Sequence, residues 1–354
     1  LKRMWRRAFS SAAVLGFGWG NGSAAAIQKE TVSTLGGAAA ATPHIRVVQP
    51  ERTSGDVLVS RKIVNEHDRT HLNLRLYQYE TCPFCCKVRA FLDYYGFSYE
   101  VVEVNPVTRS QITFSTNYKK VPILRSNNEA SLTESSLIIS ELATLLHRPE
   151  KTLEEVNDMY PAVQSTDEKG KAVVRYPNQY FIMHGKQLDP KKMAEAKEER
   201  EWREWVDGHF IHLISPNVYR TWAESLETFQ WFQQVGDWHR TFPSWERCLA
   251  VYVGATAMFA LSKRLKKRHN IDDERAALKD ACDKWMDSIG PSRKFMGGDK
   301  PNLADLALFG AMNSFYGCTA FKEVIETGRA GEWYKAVKAA VERREGQTLL
   351  AARK

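Results

Sequence analysis

Two cysteines at the junction of a predicted strand and a predicted helix constrain this chain more than any other feature. Residues 72–79, LNLRLYQY, alternate in polarity and are rich in strand-forming side chains. The sequence CPFC follows at residues 82–85, and residues 85–95 have the apolar period of a helix. Pro83 falls where the first turn of a helix accepts proline, and Gly96 ends the pattern. The cysteines are therefore predicted to open a helix that directly follows a strand.

The place of Cys82 at the amino end of that helix predicts a reactive thiol. Its sulfur meets unpaired backbone N–H groups and the positive end of the helix dipole, which both favour the thiolate. Cys85 lies one turn further in, and we expect it to be less exposed and to donate a hydrogen bond or resolve a disulfide. The alternative is that both cysteines only pack in the core.

The elements that follow have the order of a thioredoxin-like α/β domain. A second strand is predicted at residues 98–106 and a third at 120–126, with a short helix at 110–115 between them. A turn at 127–128 and a helix at 133–146 complete the unit. Because a helix connects the first two strands, we expect them to be parallel, with a right-handed crossover.

The rest of the chain is expected to be mostly helical. Residues 148–190 are predicted to be a connecting region with a small hairpin around an Asp-Glu-Lys-Gly turn. Residues 191–350 are predicted to form an all-α domain. Its predicted helices span residues 192–214, 222–235, 245–269, 272–289, 302–317 and 331–346. The stretch CLAVYVGATAMFAL has an apolar run of about 14 residues, which favours a buried core helix over a membrane span.

The amino-terminal residues 1–45 differ in composition from everything that follows. Basic residues occupy positions 2, 3, 6 and 7, the first acid is Glu30, and Ala, Ser and Gly dominate between them. This composition is typical of a mitochondrial presequence or a weak membrane anchor, and a disordered tail is the third alternative. We predict targeting or anchoring for this segment, and a linker at residues 46–71, with order beginning near Leu72.

The overall composition excludes several classes of function. The 354 residues carry 50 Lys and Arg against 42 Asp and Glu, and this mild excess comes without a recognisable nucleic-acid-binding module, so no nucleic-acid partner is expected. Six cysteines in a chain of this length are too few for a secreted disulfide framework, which indicates a reducing, intracellular compartment. No second ligand cluster has zinc spacing, and no metal is expected.

Two further dipeptides are candidates for ligand binding. In thioredoxin-like domains a cis proline opens the third strand and leaves the preceding backbone free to pair with a peptide-like ligand. Val121-Pro122 is expected to be this bond, and the alternative is a trans proline at an edge strand. Glu134-Ser135 opens the next predicted helix, where N–H groups and the hydroxyl can hold a carboxylate and Glu134 can meet an ammonium group. The alternative there is an ordinary helix cap.

Several blocks of the sequence together resemble the type 2 prostaglandin E synthases, from about residue 72 to 340. They are LYQYETCPFCCKVRAFLDYYGFSYEVVEVNPV, KVPIL, WREWVDGHFIHLISPNVYRT, SKRLKKRH and FMGGDKPNLADLA. The cysteine motif alone indicates only a glutaredoxin or glutathione-transferase relative, whereas HLISPNVYR is far more specific. The resemblance implies an α/β thioredoxin-like (glutaredoxin) domain at residues 72–147, followed by an all-α glutathione-transferase C-terminal-like domain.

The same resemblance implies an activity and a setting for it. Such proteins isomerise prostaglandin H2 to prostaglandin E2, bind glutathione, bind haem in some states and form homodimers. Association with Golgi or other endomembranes through the amino-terminal segment is the implied location, and a mitochondrial address is the alternative.

Roles for individual residues also follow from the resemblance. It makes Cys82 the catalytic thiol, with Tyr79 hydrogen-bonded to it and with Phe84 and Cys85 completing the thiol pocket. The residues it assigns to glutathione are Val121, Pro122, Glu134 and Ser135. The family commonly has Asp at the position of Glu134, so the negative charge is kept while the length of the side chain changes.

Two more pairs of residues have both a functional and a structural reading. Arg264 and Arg268 match arginines near the family's site, and their spacing puts them on one helix face. The alternative is a solvated basic helix end. His212 and Ser215 match positions linked to haem, although a lone histidine is more often a packing or surface residue. Asn302-Leu303-Ala304-Asp305 is predicted to be a helix-capping box and not a catalytic motif.

Two other functions are compatible with these residues. One is a glutathione-dependent thiol–disulfide oxidoreductase or transferase, in which Cys85 matters as much as Cys82. The other is a glutathione- and haem-binding protein without physiological isomerase activity.

Overall fold

A mixed sheet of six strands forms the first half of the computed structural model, with strand order β1-β2-β4-β3-β5-β6. Its elements are β1 (Arg46–Val48), β2 (Arg61–Val64), β3 (Leu74–Gln78), α1 (Pro83–Tyr95), β4 (Tyr99–Glu103), β5 (Ile123–Arg125), β6 (Ser131–Thr133) and α2 (Ser135–His147). Strands β3 and β4 are parallel and α1 connects them, whereas the other neighbours are antiparallel. The predicted thioredoxin-like arrangement is confirmed.

The structure describes residues 46–48, 57–126, 130–166, 170 and 172–353. The predicted targeting segment, residues 1–45, lies outside the described residues. So do the predicted turn at 127–128 and most of the Asp-Glu-Lys-Gly turn. The two hairpin strands that flank the latter, β7 (Val163–Thr166) and β8 (Ala172–Arg175), pair as predicted.

The sheet begins earlier in the chain than the sequence pattern indicated. Strand β2 lies inside the predicted linker and pairs with β4, with Ile63 opposite Tyr99. Ile63 is its only buried residue, so the strand has too little apolar alternation to be read from sequence. The prediction that order begins near Leu72 is therefore wrong. Strand β6 was also missed, and the helix predicted at 110–115 is a single 3₁₀ turn, Ser110–Ile112.

Helix α1 is built as its sequence predicts. Pro83 occupies its first turn, and Gly96 ends it with φ of 78°, a left-handed conformation that favours glycine. On the buried face of α1, Val88 and Phe91 pack in the main core with residues of the helical half, whereas Cys85 belongs to a smaller apolar cluster with residues of the sheet.

The second half of the chain is predominantly helical. Its first helix is continuous from Pro190 to Val218 and contains a π-helical segment, Val206–Phe210, between α4 (Pro190–Trp205) and α5 (Ile211–Val218). The other helices are α3 (Leu153–Asn157, in the connecting region), α6 (Trp222–Val235), α7 (Trp238–Thr241), α8 (Ser244–Cys248), α9 (Gly254–Arg268), α10 (Glu274–Ile289), α11 (Leu303–Asn313), α12 (Ala330–Glu342) and α13 (Gln347–Ala351), with π-helical segments at Leu249–Val253 and Phe321–Glu326. The long predicted helices are present, and the short ones were missed.

Helix α11 packs directly against α1, the helix that follows Cys82. Gly310 of α11 lies so close to α1 that a Cβ atom there would be 2.6 Å from the Cα of Lys87. Glycine is required at this crossing because the neighbouring atoms are backbone. Helix α11 begins with the predicted capping box, in which Asn302 accepts the Asp305 N–H and Asp305 accepts the Asn302 N–H.

The apolar helix predicted to be buried is instead half exposed. Within the described residues, Ser244–Arg268, read through its π-helical segment, is long and apolar enough to cross a membrane, and 28% of its most apolar window is buried. One face packs on α6, whereas Trp245 and Tyr252 are 60% and 53% exposed. The prediction of a buried core helix is wrong, because apolar composition does not reveal how much of a helix its neighbours cover.

Candidate functional site

The sulfur of Cys82 lies at the amino end of α1, where the sequence placed it. Cys82 is the N-cap residue in extended conformation, and its carbonyl accepts the N–H of Cys86 at 2.9 Å. The side-chain hydrogen bond from Cys85 lowers the pKa of the Cys82 thiol. Burial opposes this effect, and the N–H groups of Cys85 and Phe84 reinforce it, so the pKa of Cys82 lies below its ordinary value. Cys82 is thus the thiol favoured to ionise.

Cys85 behaves as the protonated partner. It is completely buried one turn into α1, and burial together with the neighbouring Cys82 raises its pKa well above the ordinary value. A neutral thiol can donate a hydrogen bond to a neighbouring thiolate. The pair therefore combines one ionisable and one protonated sulfur.

The Tyr79 side chain and Cys82 both pack against a small apolar cluster that contains Cys85. Burial raises the pKa of Tyr79 to about 12, and its hydroxyl hydrogen-bonds to the side chain of Arg109. Arginine has only N–H donors, so Arg109 donates to the phenol oxygen and leaves the Tyr79 O–H proton available. The hydrogen bond from Tyr79 to the Cys82 thiol stays a prediction. The phenol remains protonated near the sulfur.

A cavity of about 300 Å³ opens in front of Cys82. Its floor is the start of α1, and its walls come from α5, α6, α9 and the turn that follows α11. The residues that line it are Thr81, Cys82, Pro83, Phe84, Ile211, His212, Ile214, Ser215, Val218, Tyr219, Phe232, Leu265, Ser314 and Phe315. The lining is mostly apolar, and its size is at the lower end of the roughly 300–1,000 Å³ typical of ligand pockets.

The Val121-Pro122 peptide bond is cis, as predicted. It immediately precedes β5, which pairs with β3 through Ile123 and Tyr77. Val121 is buried in the same apolar cluster as Cys85, with Cys82 packed against it. The backbone ahead of the cis bond therefore borders the thiol.

Glu134 and Ser135 open α2 as predicted, but Glu134 is not an ordinary cap. Its φ of 64° and ψ of 109° are strained for a residue with a side chain, and it makes no side-chain capping bond. The carboxylate lies 3.7 Å from the Lys120 ammonium and remains 43% exposed. Ser135 is buried at the first turn. Strain of this kind is concentrated at binding sites.

His212 and Ser215 both line the cavity. The His212 ring stacks on His269 with centroids 4.4 Å apart and planes 17° apart. Partial burial, the neighbouring His269 and Arg268 lower the pKa of His212, so the neutral imidazole is favoured. Among the described residues, no group of three or more His, Cys, Asp or Glu side chains could hold a metal ion.

Arg264 and Arg268 share one face of α9, as their spacing indicated, and both are exposed. Leu265, between them, is the residue of this helix that lines the cavity. Arg268 acts on the site through its effect on the pKa of His212. These arginines are therefore not part of the cavity lining.

Sequence reasoning missed most of the apolar cavity wall. Ile211, Ile214 and Val218 recur at helical spacing within the block that includes HLISPNVY, and this period was the available signal. Phe232 comes from α6 and Phe315 from the turn after α11, and only the packing of the helical half brings them to the thiol.

Comparisons with known proteins find a family match and similar solved structures. Residues 76–150 match the family described as glutathione S-transferase, N-terminal domain. The glutathione transferase F7 of Populus trichocarpa has a TM-score of 0.44 and 17% identity, over 77% of this chain and 99% of that one.

Two relatives are much more similar in sequence. Prostaglandin E synthase 2 of Danio rerio is 45% identical over 278 residues, which are 77% of this chain and 72% of the relative. Prostaglandin E synthase 2 of Mus musculus is 42% identical over 333 residues, covering 90% and 84%. The chain belongs to the prostaglandin E synthase 2 family.

Proposed function

We propose that this chain isomerises prostaglandin H2 to prostaglandin E2 with Cys82 as the catalytic thiol. The observation that carries the proposal is the position of Cys82, a thiol with a lowered pKa at the floor of an apolar cavity of about 300 Å³. The apolar wall suits the hydrocarbon chains of a prostaglandin. The names of the two relatives supply the reaction class.

The reaction needs a nucleophile, a proton donor and a proton acceptor, and it leaves the thiol unchanged. The Cys82 thiolate bonds to one endoperoxide oxygen, the O–O bond breaks, and the other oxygen leaves as an alkoxide. That alkoxide takes a proton, for which the Tyr79 phenol is the nearby donor. The tyrosinate left on Tyr79 then takes the proton from the carbon that carries the sulfur-bound oxygen, which forms the ketone, breaks the S–O bond and returns the thiolate. No net oxidation occurs.

Glutathione is the proposed thiol cofactor: the Cys82 thiolate either attacks the endoperoxide itself or activates the glutathione thiol to do so. The glutathione lies along the backbone that borders Cys82. The cis peptide at Val121-Pro122 offers backbone groups to its peptide portion. The buried amino end of α2 at Ser135 offers N–H groups to a carboxylate, and the Glu134 side chain offers a partner for an ammonium group. Phe84, 37% exposed, lines the cavity together with Cys82.

Haem binding is a second candidate function, favoured by the neutral His212 in the cavity wall. Neutral imidazole is the form that binds metals, and exposed Arg264 and Arg268 can meet anionic groups. His212 and Ser215 are the residues that would hold the haem, whose iron would supply redox chemistry. An intense haem absorption band in the isolated protein, lost in His212→Ala, supports this candidate. A His212→Ala protein with an unchanged band contradicts it.

Product analysis tests the proposed activity. The full chain is incubated with prostaglandin H2 in four mixtures, with and without glutathione and with and without added haem. The proposal predicts prostaglandin E2 as the main product with glutathione and without haem. Equal product in the absence of enzyme, or breakdown products in all four mixtures, contradicts it.

The oligomeric state and the location in the cell are also proposals. We infer a homodimer that associates with endomembranes through residues 1–45, with a mitochondrial address as the alternative. Imaging the full chain against a chain lacking residues 1–45 separates a Golgi from a mitochondrial location. Sedimentation of the full chain measures its oligomeric state, and a monomer at micromolar concentration contradicts the dimer.

A further inference from the structure

A buried acid–base cluster lies directly behind the candidate glutathione site. The Lys87 ammonium of α1 is 1% exposed and forms an ion pair with Asp207 in the π-helical segment of the helical half. Lys87 also donates to the Ser136 hydroxyl at 2.9 Å, and that hydroxyl donates to Asp207 at 2.5 Å. Tyr180 donates a further hydrogen bond to the same carboxylate at 3.0 Å. The Asp207 carboxylate therefore accepts hydrogen bonds from α1, from α2 and from the connecting region.

Each helix that meets at Asp207 also contributes to the candidate site. Helix α1 begins at Cys82, and Lys87 is in its second turn. Helix α2 begins at the Glu134-Ser135 dipeptide, and Ser136 follows it directly. The helix of Asp207 continues into the cavity wall one turn later, at Ile211. The Asp207 carboxylate thus connects the helix that follows Cys82, the amino end of α2 and the helix that lines the cavity.

The charges in this cluster balance each other. Burial by itself disfavours the Asp207 carboxylate. The attraction of Lys87, with hydrogen bonds from Lys87, Ser136 and Tyr180, nevertheless keeps its pKa below the ordinary value. A buried ion pair of this kind stabilises a particular geometry more than it stabilises folding, because desolvation offsets much of the attraction.

A different residue, Arg203, also holds the helical half against the sheet-containing half. Arg203, one turn before Asp207 and 1% exposed, donates to the carbonyls of Tyr180 and Ser136 and to the Ser140 hydroxyl. Asp207 differs because it acts on side chains, those of Lys87 and Ser136. It also lies in a π-helical segment, and such segments re-aim side chains and recur at functional sites.

We propose that Asp207 is a positioning residue that sets the distance between Cys82 and the amino end of α2, so that a ligand whose carboxylate lies at Ser135 presents its thiol to Cys82. The inference rests on the proposed glutathione-dependent function. It adds a role for a residue of the helical half that contacts neither the ligand nor the reacting atoms.

The test compares the KM for glutathione with kcat in full-chain variants. Asp207→Asn keeps the shape of the side chain and removes its charge, and we expect the glutathione KM to rise about tenfold while kcat falls less than about threefold. Glu141→Gln is the control, because Glu141 is a buried acid of α2 that accepts a hydrogen bond from Asn157 and is not part of this cluster. The control is expected to leave the glutathione KM unchanged.

A double variant separates positioning from the cost of an unpaired buried charge. Asp207→Asn leaves the Lys87 ammonium without its partner, whereas Asp207→Asn with Lys87→Met leaves no charge in the cluster. We expect the double variant to recover thermal stability and to keep the raised KM. Recovery of the wild-type KM, or an Asp207→Asn enzyme with unchanged KM, overturns the proposal.

A wild-type enzyme that shows no dependence on glutathione overturns both this inference and the proposed function, whereas an unchanged KM in Asp207→Asn overturns the inference alone.

Discussion

The side-chain hydrogen bond between Cys85 and Cys82 makes the two sulfurs chemically different. It lowers the pKa of Cys82, whereas burial raises the pKa of Cys85. Because the thiolate is the reactive form, the fraction of reactive Cys82 falls as the pH drops through its lowered pKa. The apolar cavity in front of this sulfur then selects what it can attack.

Removing the Cys85 thiol should make Cys82 less reactive at neutral pH. Cys85→Ala deletes the hydrogen-bond donor to Cys82, so the pKa of Cys82 should rise toward the ordinary thiol value of about 8.5. The pH profile of iodoacetamide alkylation measures it, with the midpoint moving upward. Cys248→Ser serves as the control, since that cysteine is exposed and outside the cavity lining. An unmoved midpoint in Cys85→Ala contradicts the account of how Cys82 is activated.

Two substitutions at the strained Glu134 should distinguish its effect on glutathione binding from its effect on stability. With φ of 64°, glycine fits this backbone better than glutamate, so Glu134→Gly should leave the free energy of unfolding unchanged or raise it by up to about 1 kcal/mol. The same variant loses the carboxylate, and its glutathione KM should rise. Glu134→Gln, which keeps a side chain at the strained position, should raise KM without the gain in stability. Denaturant unfolding and initial-rate kinetics measure the two effects, and a destabilised Glu134→Gly protein is the contrary result.

The contact between α11 and α1 should tolerate no added methyl group. Gly310→Ala places a Cβ atom 2.6 Å from the Cα of Lys87, and we expect a loss of roughly 1–3 kcal/mol in the free energy of unfolding. Gly208→Ala is the matched control, because a Cβ there meets nothing within 4 Å and alanine favours helices by up to about 1 kcal/mol. Urea unfolding of both variants measures the difference. Equal stability of the two would contradict the close packing.

His212 should titrate below the ordinary value for histidine. Partial burial and the positive charges of His269 and Arg268 lower its pKa, so the unfolded chain binds its proton more readily than the folded one. The contribution of His212 to stability is therefore complete above about pH 6.5 and declines as the pH falls from there toward the folded-state pKa. Imidazole proton shifts in NMR follow the titration. His269→Ala should move the midpoint upward, and a downward shift contradicts the assigned cause.

Much of the fold and of the thiol site could be predicted from sequence because their signals are local. Pro83 and Gly96 mark the ends of α1, and Asn302 and Asp305 mark the start of α11, each within a few residues of the feature it determines. The position of Cys82 at a helix start follows from the same short-range information.

Features that depend on distant packing could not be predicted. Strand β2 becomes a strand only because β4 is available as a partner. The hydroxyl of Tyr79 bonds to Arg109, whose place no spacing rule gives. The Lys87–Asp207 pair joins residues 120 positions apart, and neither residue stands out in its local sequence.

The central claim is that Cys82 performs the chemistry, and its most direct test is the rate of prostaglandin E2 formation from prostaglandin H2 in Cys82→Ser. The measurement uses the full chain, saturating glutathione and Cys85→Ser as the parallel variant. We predict that Cys82→Ser falls to the rate without enzyme, while Cys85→Ser keeps part of the activity because it leaves the nucleophile in place. Undiminished product formation by Cys82→Ser would contradict the mechanism. Equal losses in both variants would favour thiol–disulfide chemistry instead.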